Sequence, residues 1–167
     1  MRKMTEENLK AAFAGESQAH MKYLSFSEKA KREGRENLAR LFAAAAFSEQ
    51  VHAANHLRAL SGIGESTENL KAAWGGENFE IVEMYPAYIQ VAELQAEKAA
   101  KETFHFALEA EKTHRAFYEG ARTALENAKD VEGDPLQVCS NCGYTLRGEA
   151  PEKCPVCGVK KERFRQF

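Results

Sequence analysis

This sequence has no apolar run approaching the ~18 to 20 residues of a membrane-spanning helix, which excludes such a helix as an organising feature. It has no excess of one charge either. Its 23 Lys and Arg nearly cancel its 25 Asp and Glu, and no basic stripe interrupts the mixture, which argues against nucleic acid or an anionic membrane as the main partner. The opening Met1-Arg2-Lys3-Met4-Thr5-Glu6-Glu7 lacks the apolar core of a signal peptide, so a cytoplasmic location is expected. A dinucleotide fingerprint is missing: Gly62-Ile63-Gly64 follows a predicted helix rather than a strand and lacks the third glycine. Proline and cysteine are scarce and unevenly placed. Three of the 4 prolines and all 4 cysteines follow residue 129, whereas the preceding stretch is rich in Ala, Leu, Glu and Lys. That break predicts a helical domain over 1–129, a linker over 130–137 and a small domain over 138–167.

Within the predicted helical domain, a single phrase occurs twice. Glu16 is followed by Glu49-x-x-His52, and Glu80 by Glu111-x-x-His114, at intervals of 33 and 31 residues. Each copy reads as a helical hairpin with a carboxylate on one arm and a Glu-x-x-His on the other. In an antiparallel pair, residues equally far from the turn lie at equal height. The first midpoint falls on the helix-stopping Glu33-Gly34-Arg35; the second falls on Gln95-Ala96-Glu97-Lys98, which has no Gly or Pro, so the turn there rests on symmetry alone. The expected helices run from about Thr5 to Arg32, from Glu36 to Ser61, from near Glu77 to that second turn, and on to Ala128. Residues 62–76 form a crossover, with a short helical turn around Thr67 to Trp74.

On all four helices an acidic or imidazole group replaces an apolar residue on the inward stripe, for example Leu9, Phe13, Glu16, His20, Leu24 on the first. A buried carboxylate without compensation costs several kcal/mol. Repeating that cost five or more times is reasonable only where cations neutralise it. One Glu from each of two helices and a Glu-x-x-His from each of the other two is the ligand set of di-metal carboxylate bundles. Oxygen and imidazole ligands suit iron or manganese better than zinc. Glu83, one turn from Glu80, adds a carboxylate to the minimal set. Tyr23 and Tyr88 are candidates for hydrogen bonds to ligating carboxylates. His20, His56 and His105 read as core histidines rather than ligands.

The C-terminal segment holds two Cys-x-x-Cys-Gly knuckles, Cys139 to Gly143 and Cys154 to Gly158, which use every cysteine and leave none for a disulfide. Glycine after each pair permits a backbone turn that lets amide N–H groups approach the sulfurs. A tetrathiolate metal site follows; iron and zinc share this spacing.

The combination resembles the rubrerythrin family over nearly the whole chain. Ala14-Gly15-Glu16-Ser17, Glu49-Gln50-Val51-His52, Glu80 through Pro86, Glu109 through His114 and the Cys-Pro-x-Cys-Gly ending carry the resemblance. It implies a ferritin-like four-helix bundle followed by a rubredoxin-like domain. It further implies two irons with Glu49 and Glu111 bridging, Glu16, Glu80 and His114 as terminal ligands, and Glu83 and His52 exchanging at one iron. A third iron, for which zinc can substitute, would sit on Cys139, Cys142, Cys154 and Cys157. The implied activity is reduction of hydrogen peroxide to water. Electrons would come from NAD(P)H through an external reductase or rubredoxin and enter at the cysteine centre. A head-to-tail homodimer or larger homo-oligomer is implied, one chain's cysteine module facing another's di-iron site. Ferritin-like iron oxidation and storage is the alternative. One departure from the family pattern is the missing glycine between the third and fourth helices.

Overall fold

The structure is a computed structural model that describes residues 1–127, 129–131 and 133–167. It is helical up to a small C-terminal sheet. Helices α1 (Lys3–Arg32), α2 (Glu36–Ala59), α3 (Ser66–Phe79), α4 (Tyr85–Leu94) and α5 (Lys98–Glu126) precede strands β1 (Leu136–Cys139), β2 (Thr145–Arg147) and β3 (Phe164–Gln166). The expected helix end at Ala128 lies outside the described residues. No helix among the described residues is long and apolar enough to cross a membrane. The chain divides into two compact units, Met1–Gly64 and Glu65–Phe167.

The first unit is the hairpin of α1 and α2. Its seam is made of alanines at heptad spacing: Ala39, Ala46 and Ala53 are buried, and small side chains there let α1 approach closely. Two hydrogen bonds cross the seam. Ser27 Oγ donates to the Ala39 carbonyl (2.8 Å), and His20 Nδ1 to the Ala46 carbonyl (2.8 Å), which satisfies His20 as a core histidine. The turn is a Schellman motif, with Arg35 N–H on the Ala30 carbonyl and Gly34 N–H on that of Lys31, and Gly34 supplies the positive φ of 71°.

In the second unit the third helix begins earlier than the sequence predicts. Glu65 opens α3 through a capping box with Glu68, whose Oε2 accepts from the Glu65 N–H at 3.1 Å. Gly75 and Gly76, expected to end a crossover, lie inside α3. A π-helical turn, Glu80–Met84, joins α3 to α4. Its cause is the proline just beyond it: Pro86 has no N–H, and its ring would meet the Val82 carbonyl in a regular helix. A locally widened turn avoids that clash. The turn between α4 and α5 falls within the expected Gln95-Ala96-Glu97-Lys98. Glu97 N–H bonds the Ala92 carbonyl and Ala96 N–H that of Glu93, another Schellman motif, with Ala96 in the glycine position at φ 57°.

Helix α5 packs on α3 and α4. Arg115 Nη1 donates to Asn78 Oδ1 (2.9 Å), Lys101 pairs with Glu93 (2.9 Å), and Tyr85, Tyr88 and Phe104 stack as a cluster. The antiparallel sheet has the order β2-β1-β3, with Val138 opposite Thr145 on one side and Arg165 on the other. Its core is the cysteine cluster, against which Phe106 of α5, Tyr144, Val156 and Phe164 pack.

Candidate metal centres

Four sulfurs converge at the end of the chain. Cys139 ends β1, Cys142 follows in the first knuckle, and Cys154 and Cys157 come from the second. Positive φ at Gly143 (80°) and Gly158 (74°) closes each knuckle. Cys139 Sγ lies 3.7 Å from Cys157 Sγ, and Cys142 Sγ lies 3.5 Å from Cys154 Sγ; none is in a disulfide. A tetrahedral ion with bonds of ~2.3 Å has ligand edges of ~3.8 Å, so the four thiols are spaced for one metal. The backbone N–H groups of Asn141 and Cys142 point at the Cys139 sulfur, that of Tyr144 at Cys142 and that of Val159 at Cys157. Burial pushes the Cys142 thiol up. Burial also opposes the Cys157 thiolate, yet the Val159 N–H and the Asn141 side chain prevail and hold it at about 7.

Each unit carries one group of two carboxylates and an imidazole. In the first, Glu16 of α1 and Glu49 and His52 of α2 place ligand atoms within 4.8 Å of one another. One turn of α2 separates Glu49 from His52, so the side chains share a face and His52 Nδ1 lies 3.0 Å from Glu49 Oε2. Glu16 and Glu49 share a hydrogen bond that raises Glu16 and lowers Glu49. In the second unit the group is Glu77 of α3 with Glu111 and His114 of α5, again within 4.8 Å. His114 Nδ1 lies 2.6 Å from Glu111 Oε2 and 3.7 Å from Glu77 Oε1. Burial, and then the Glu111 carboxylate, push Glu77 up to about 7. Burial also works against ionised Glu111, but hydrogen bonds from His114 and Glu77 hold it below the ordinary carboxylate range. The bond to Glu111 raises His114 against the opposing effect of burial.

The sequence-predicted residues are thus partly gathered. Glu16, Glu49 and His52 stand together, as do Glu111 and His114, and so do the four cysteines. Glu80 is half-buried on the π turn, raised by burial and by Glu111, but Glu77 occupies the place in the trio expected for it. Glu83 is exposed. Tyr23 stacks near Phe26 and Phe42, and Tyr88 on Tyr85 and Phe104. The phenols that feel the carboxylates are Tyr85 and Tyr118, each raised by burial first and then by nearby Glu residues that include Glu77 and Glu111. Glu77 escapes a sequence reading that starts the third helix at that residue, because it then looks like a first-turn acid. With α3 opening at Ser66 it lies in the last turn of that helix, one turn before Glu80.

The cysteine module rests on α5 of its own chain. His114 Nε2 lies 2.9 Å from Thr145 Oγ1, the first knuckle approaches Ala110, and a cleft of about 340 Å³ between them is lined by Glu111, His114, Asn141, Cys142 and Gly143. The module thus makes this contact within one chain.

Comparison with known proteins agrees with this arrangement. The family model described as "Rubrerythrin" matches residues 7–122, and that described as "Rubrerythrin, rubredoxin-like domain" matches residues 137–165. "Rubrerythrin-2" of Clostridium acetobutylicum is 40% identical, the match covering 98% of this chain and 97% of the relative. "Nigerythrin" of Nitratidesulfovibrio vulgaris is 34% identical, with 98% and 86% covered. The solved structure described as "Fully reduced state of nigerythrin (all ferrous)" superposes with a TM-score of 0.57 at 33% identity, over 98% of this chain and 86% of that one.

Proposed function

The chain belongs to the rubrerythrin family, with a ferritin-like helical domain and a rubredoxin-like C-terminal domain, and on that premise we propose that it reduces hydrogen peroxide to water. In this reading two irons are held by Glu16, Glu49, His52, Glu80, Glu83, Glu111 and His114, with Glu77 an added carboxylate. A third iron is held by Cys139, Cys142, Cys154 and Cys157, where zinc can substitute. Oxygen and imidazole donors fit iron, and four thiolates at tetrahedral spacing fit the third ion. When bound, the iron pair supplies the two electrons that divide an O–O bond.

The chain's own residues do the rest. The carboxylates would neutralise the cations. Each histidine turns Nδ1 toward its carboxylates. Tyr85 and Tyr118 keep their phenolic protons beside Glu77 and Glu111, because burial and the neighbouring carboxylates both disfavour the phenolate. The balance is one peroxide, two electrons and two protons to two waters. An external NAD(P)H-dependent reductase or rubredoxin supplies the electrons to the cysteine centre, in a cytoplasmic head-to-tail homodimer or larger homo-oligomer.

The observation that carries this reading is the union, in one chain, of two Glu/Glu/His groups with a four-cysteine cluster, whose module reaches one of them through a Thr145–His114 hydrogen bond. The test is to reduce the iron-loaded protein without oxygen, add hydrogen peroxide and follow the oxidation of its centres. Peroxide-dependent oxidation, coupled to NADH consumption when a reductase is supplied, is expected. A fully iron-loaded protein whose reduced centres ignore peroxide would end the proposal; a large cage that takes up mineral would point to storage instead.

A further inference from the structure

The two knuckles of the cysteine module stand in different surroundings. The first, Cys139 to Gly143, is turned toward α5: a Cβ at Gly143 would lie 3.8 Å from the Ala110 methyl, Phe106 packs on the sulfur cluster, and Thr145 just beyond bonds His114. The second, Cys154 to Gly158, faces outward, with Pro155 and Gly158 exposed. It closes as a tight loop, Cys154 N–H donating to the Val159 carbonyl (2.8 Å) and Gly158 N–H to that of Cys154 (2.9 Å). Cys139, Cys142 and Cys154 are buried and Cys157 is not, so Cys157 is the ligand that stands nearest to solvent.

Positive charge gathers on the same side. Residues 138–167 carry six Lys and Arg against three Glu, whereas residues 1–137 carry 17 Lys and Arg against 22 Asp and Glu, so a basic module is attached to an acidic chain. Lys153 and Lys160 are exposed and form an isolated antiparallel bridge, which sets them side by side where the second knuckle begins and ends. Arg163 follows one turn later, its N–H on the Lys160 carbonyl (3.0 Å) and its own carbonyl accepting from the Ser140 N–H (2.8 Å). None of these three side chains has an ion pair among the described residues, whereas Lys161 is neutralised by Glu152 at 2.9 Å. The exposed Glu149 and Glu162 offset the excess only in part. Between the lysines the knuckle is apolar, through exposed Pro155 and half-buried Val156. An apolar centre inside a polar rim is the make-up of a protein docking surface, and a rim of one sign draws in a partner of the other.

We propose that the second knuckle is the surface at which this chain receives its electrons, and that the protein it fits is an acidic one-electron carrier. The inference rests on the reading that an external protein reduces the cysteine centre. One electron leaves the carrier, which is oxidised, and arrives at the thiolate-bound iron, which goes from ferric to ferrous; no covalent bond forms or breaks, and no proton has to move. Lys153 and Lys160 steer the acidic surface inward. Pro155 and Val156 then meet it beside Cys157, the accessible ligand. Encounters between redox proteins are small and transient, and a few unpaired charges around one partly exposed ligand fit an exchange that must end after each electron. Because the first knuckle makes the contact with α5, a carrier seated on the second leaves that contact undisturbed.

Two measurements test the proposal. The first needs no turnover: the zinc-loaded full chain is titrated with a strongly acidic rubredoxin, also zinc-loaded, and followed by NMR. Amide shifts should change over 153–163 and stay constant along α1, α2 and α5, and the affinity should fall about tenfold between low salt and physiological ionic strength. Shifts confined to other segments, an affinity indifferent to salt, or no shift at all would overturn the docking surface. So would shifts over 153–163 that grow with the concentration of this protein alone, since a second copy would then occupy the knuckle. The second measurement follows reduction of the iron-loaded protein by the reduced rubredoxin. Lys153→Glu combined with Lys160→Glu, both at exposed positions, should slow that reduction about tenfold at low salt, with the visible spectrum of the cysteine centre unchanged, while Lys153→Arg with Lys160→Arg keeps the wild-type rate. An equal rate in the spectroscopically intact charge-reversed protein would refute the role of the lysines. If the iron-loaded wild type ignores peroxide, the peroxidase reading fails, and the titration still decides the docking surface.

Discussion

At the scale of the residue, the site owes most to Glu77. Its carboxyl is pushed up to about 7 by burial and by Glu111, from an ordinary value of 4.5. In metal-free protein the folded chain therefore keeps a proton between those values that the unfolded chain has lost. Stability from this group is fully present below about 4.5 and disappears as pH rises through about 7. His114, raised from 6.5, acts in the same direction at higher pH, and Glu111, lowered, acts oppositely in acid. Urea melts of metal-free protein at about pH 5 and about pH 8 should show lower stability at the higher pH, and Glu77→Gln should flatten that slope. A slope unchanged by the substitution would mean that Glu77 does not hold the proton. With metal present the same substitution should weaken metal retention by about tenfold, read by competition with a chelator, since one carboxylate beside Glu111 and His114 is lost.

At the scale of the element, the α4–α5 turn bears a cost. Ala96 adopts φ 57°, a conformation that places an L side chain against its own carbonyl and costs roughly 1 to 2 kcal/mol in a helix. Ala96→Gly should therefore stabilise the protein, by about 0.5 to 1 kcal/mol once the added freedom of the unfolded glycine is subtracted. A higher urea midpoint with an unchanged slope would confirm it. At Gly62 a Cβ would run into Leu57 Cδ1, which can rotate aside, and would then meet the Leu57 carbonyl at 3.2 Å, so Gly62→Ala should cost the end of α2 only modest stability. The hairpin positions were legible in the sequence because equal spacing from Glu16 to Glu49 and from Glu80 to Glu111 locates a turn whatever its chemistry. The start of α3 was not. Gly75-Gly76 looks like a break, and only packing against α5, with contacts such as that between Asn78 and Arg115, carries the helix through it. The π turn was likewise hidden, since a proline after Tyr85 fits either a helix start or a bulge.

At the scale of the whole molecule, the cysteine module has little core beyond its sulfurs. Cys139, Cys142 and Cys154 are its buried centre, and its strands are three or four residues long. Folding there depends on the ion. Removing the metal should abolish amide-exchange protection across β1, β2 and β3 while α1, α2 and α5 keep theirs; a protected sheet in stripped protein would refute this.

The sequence alone determined which residues stand as candidate metal ligands. Cys139, Cys142, Cys154 and Cys157 are named by spacing, and Glu16, Glu49, His52, Glu111 and His114 by a phrase written twice, because ligands one turn apart on a helix or three positions apart in a knuckle are local facts. Tertiary structure decided what is brought to them. Glu77 joins Glu111 because α3 lies along α5, and Thr145 meets His114 because a glycine and an alanine let two separately folded segments come within hydrogen-bond reach. Those encounters join residues more than thirty positions apart, and no periodicity in the chain encodes them.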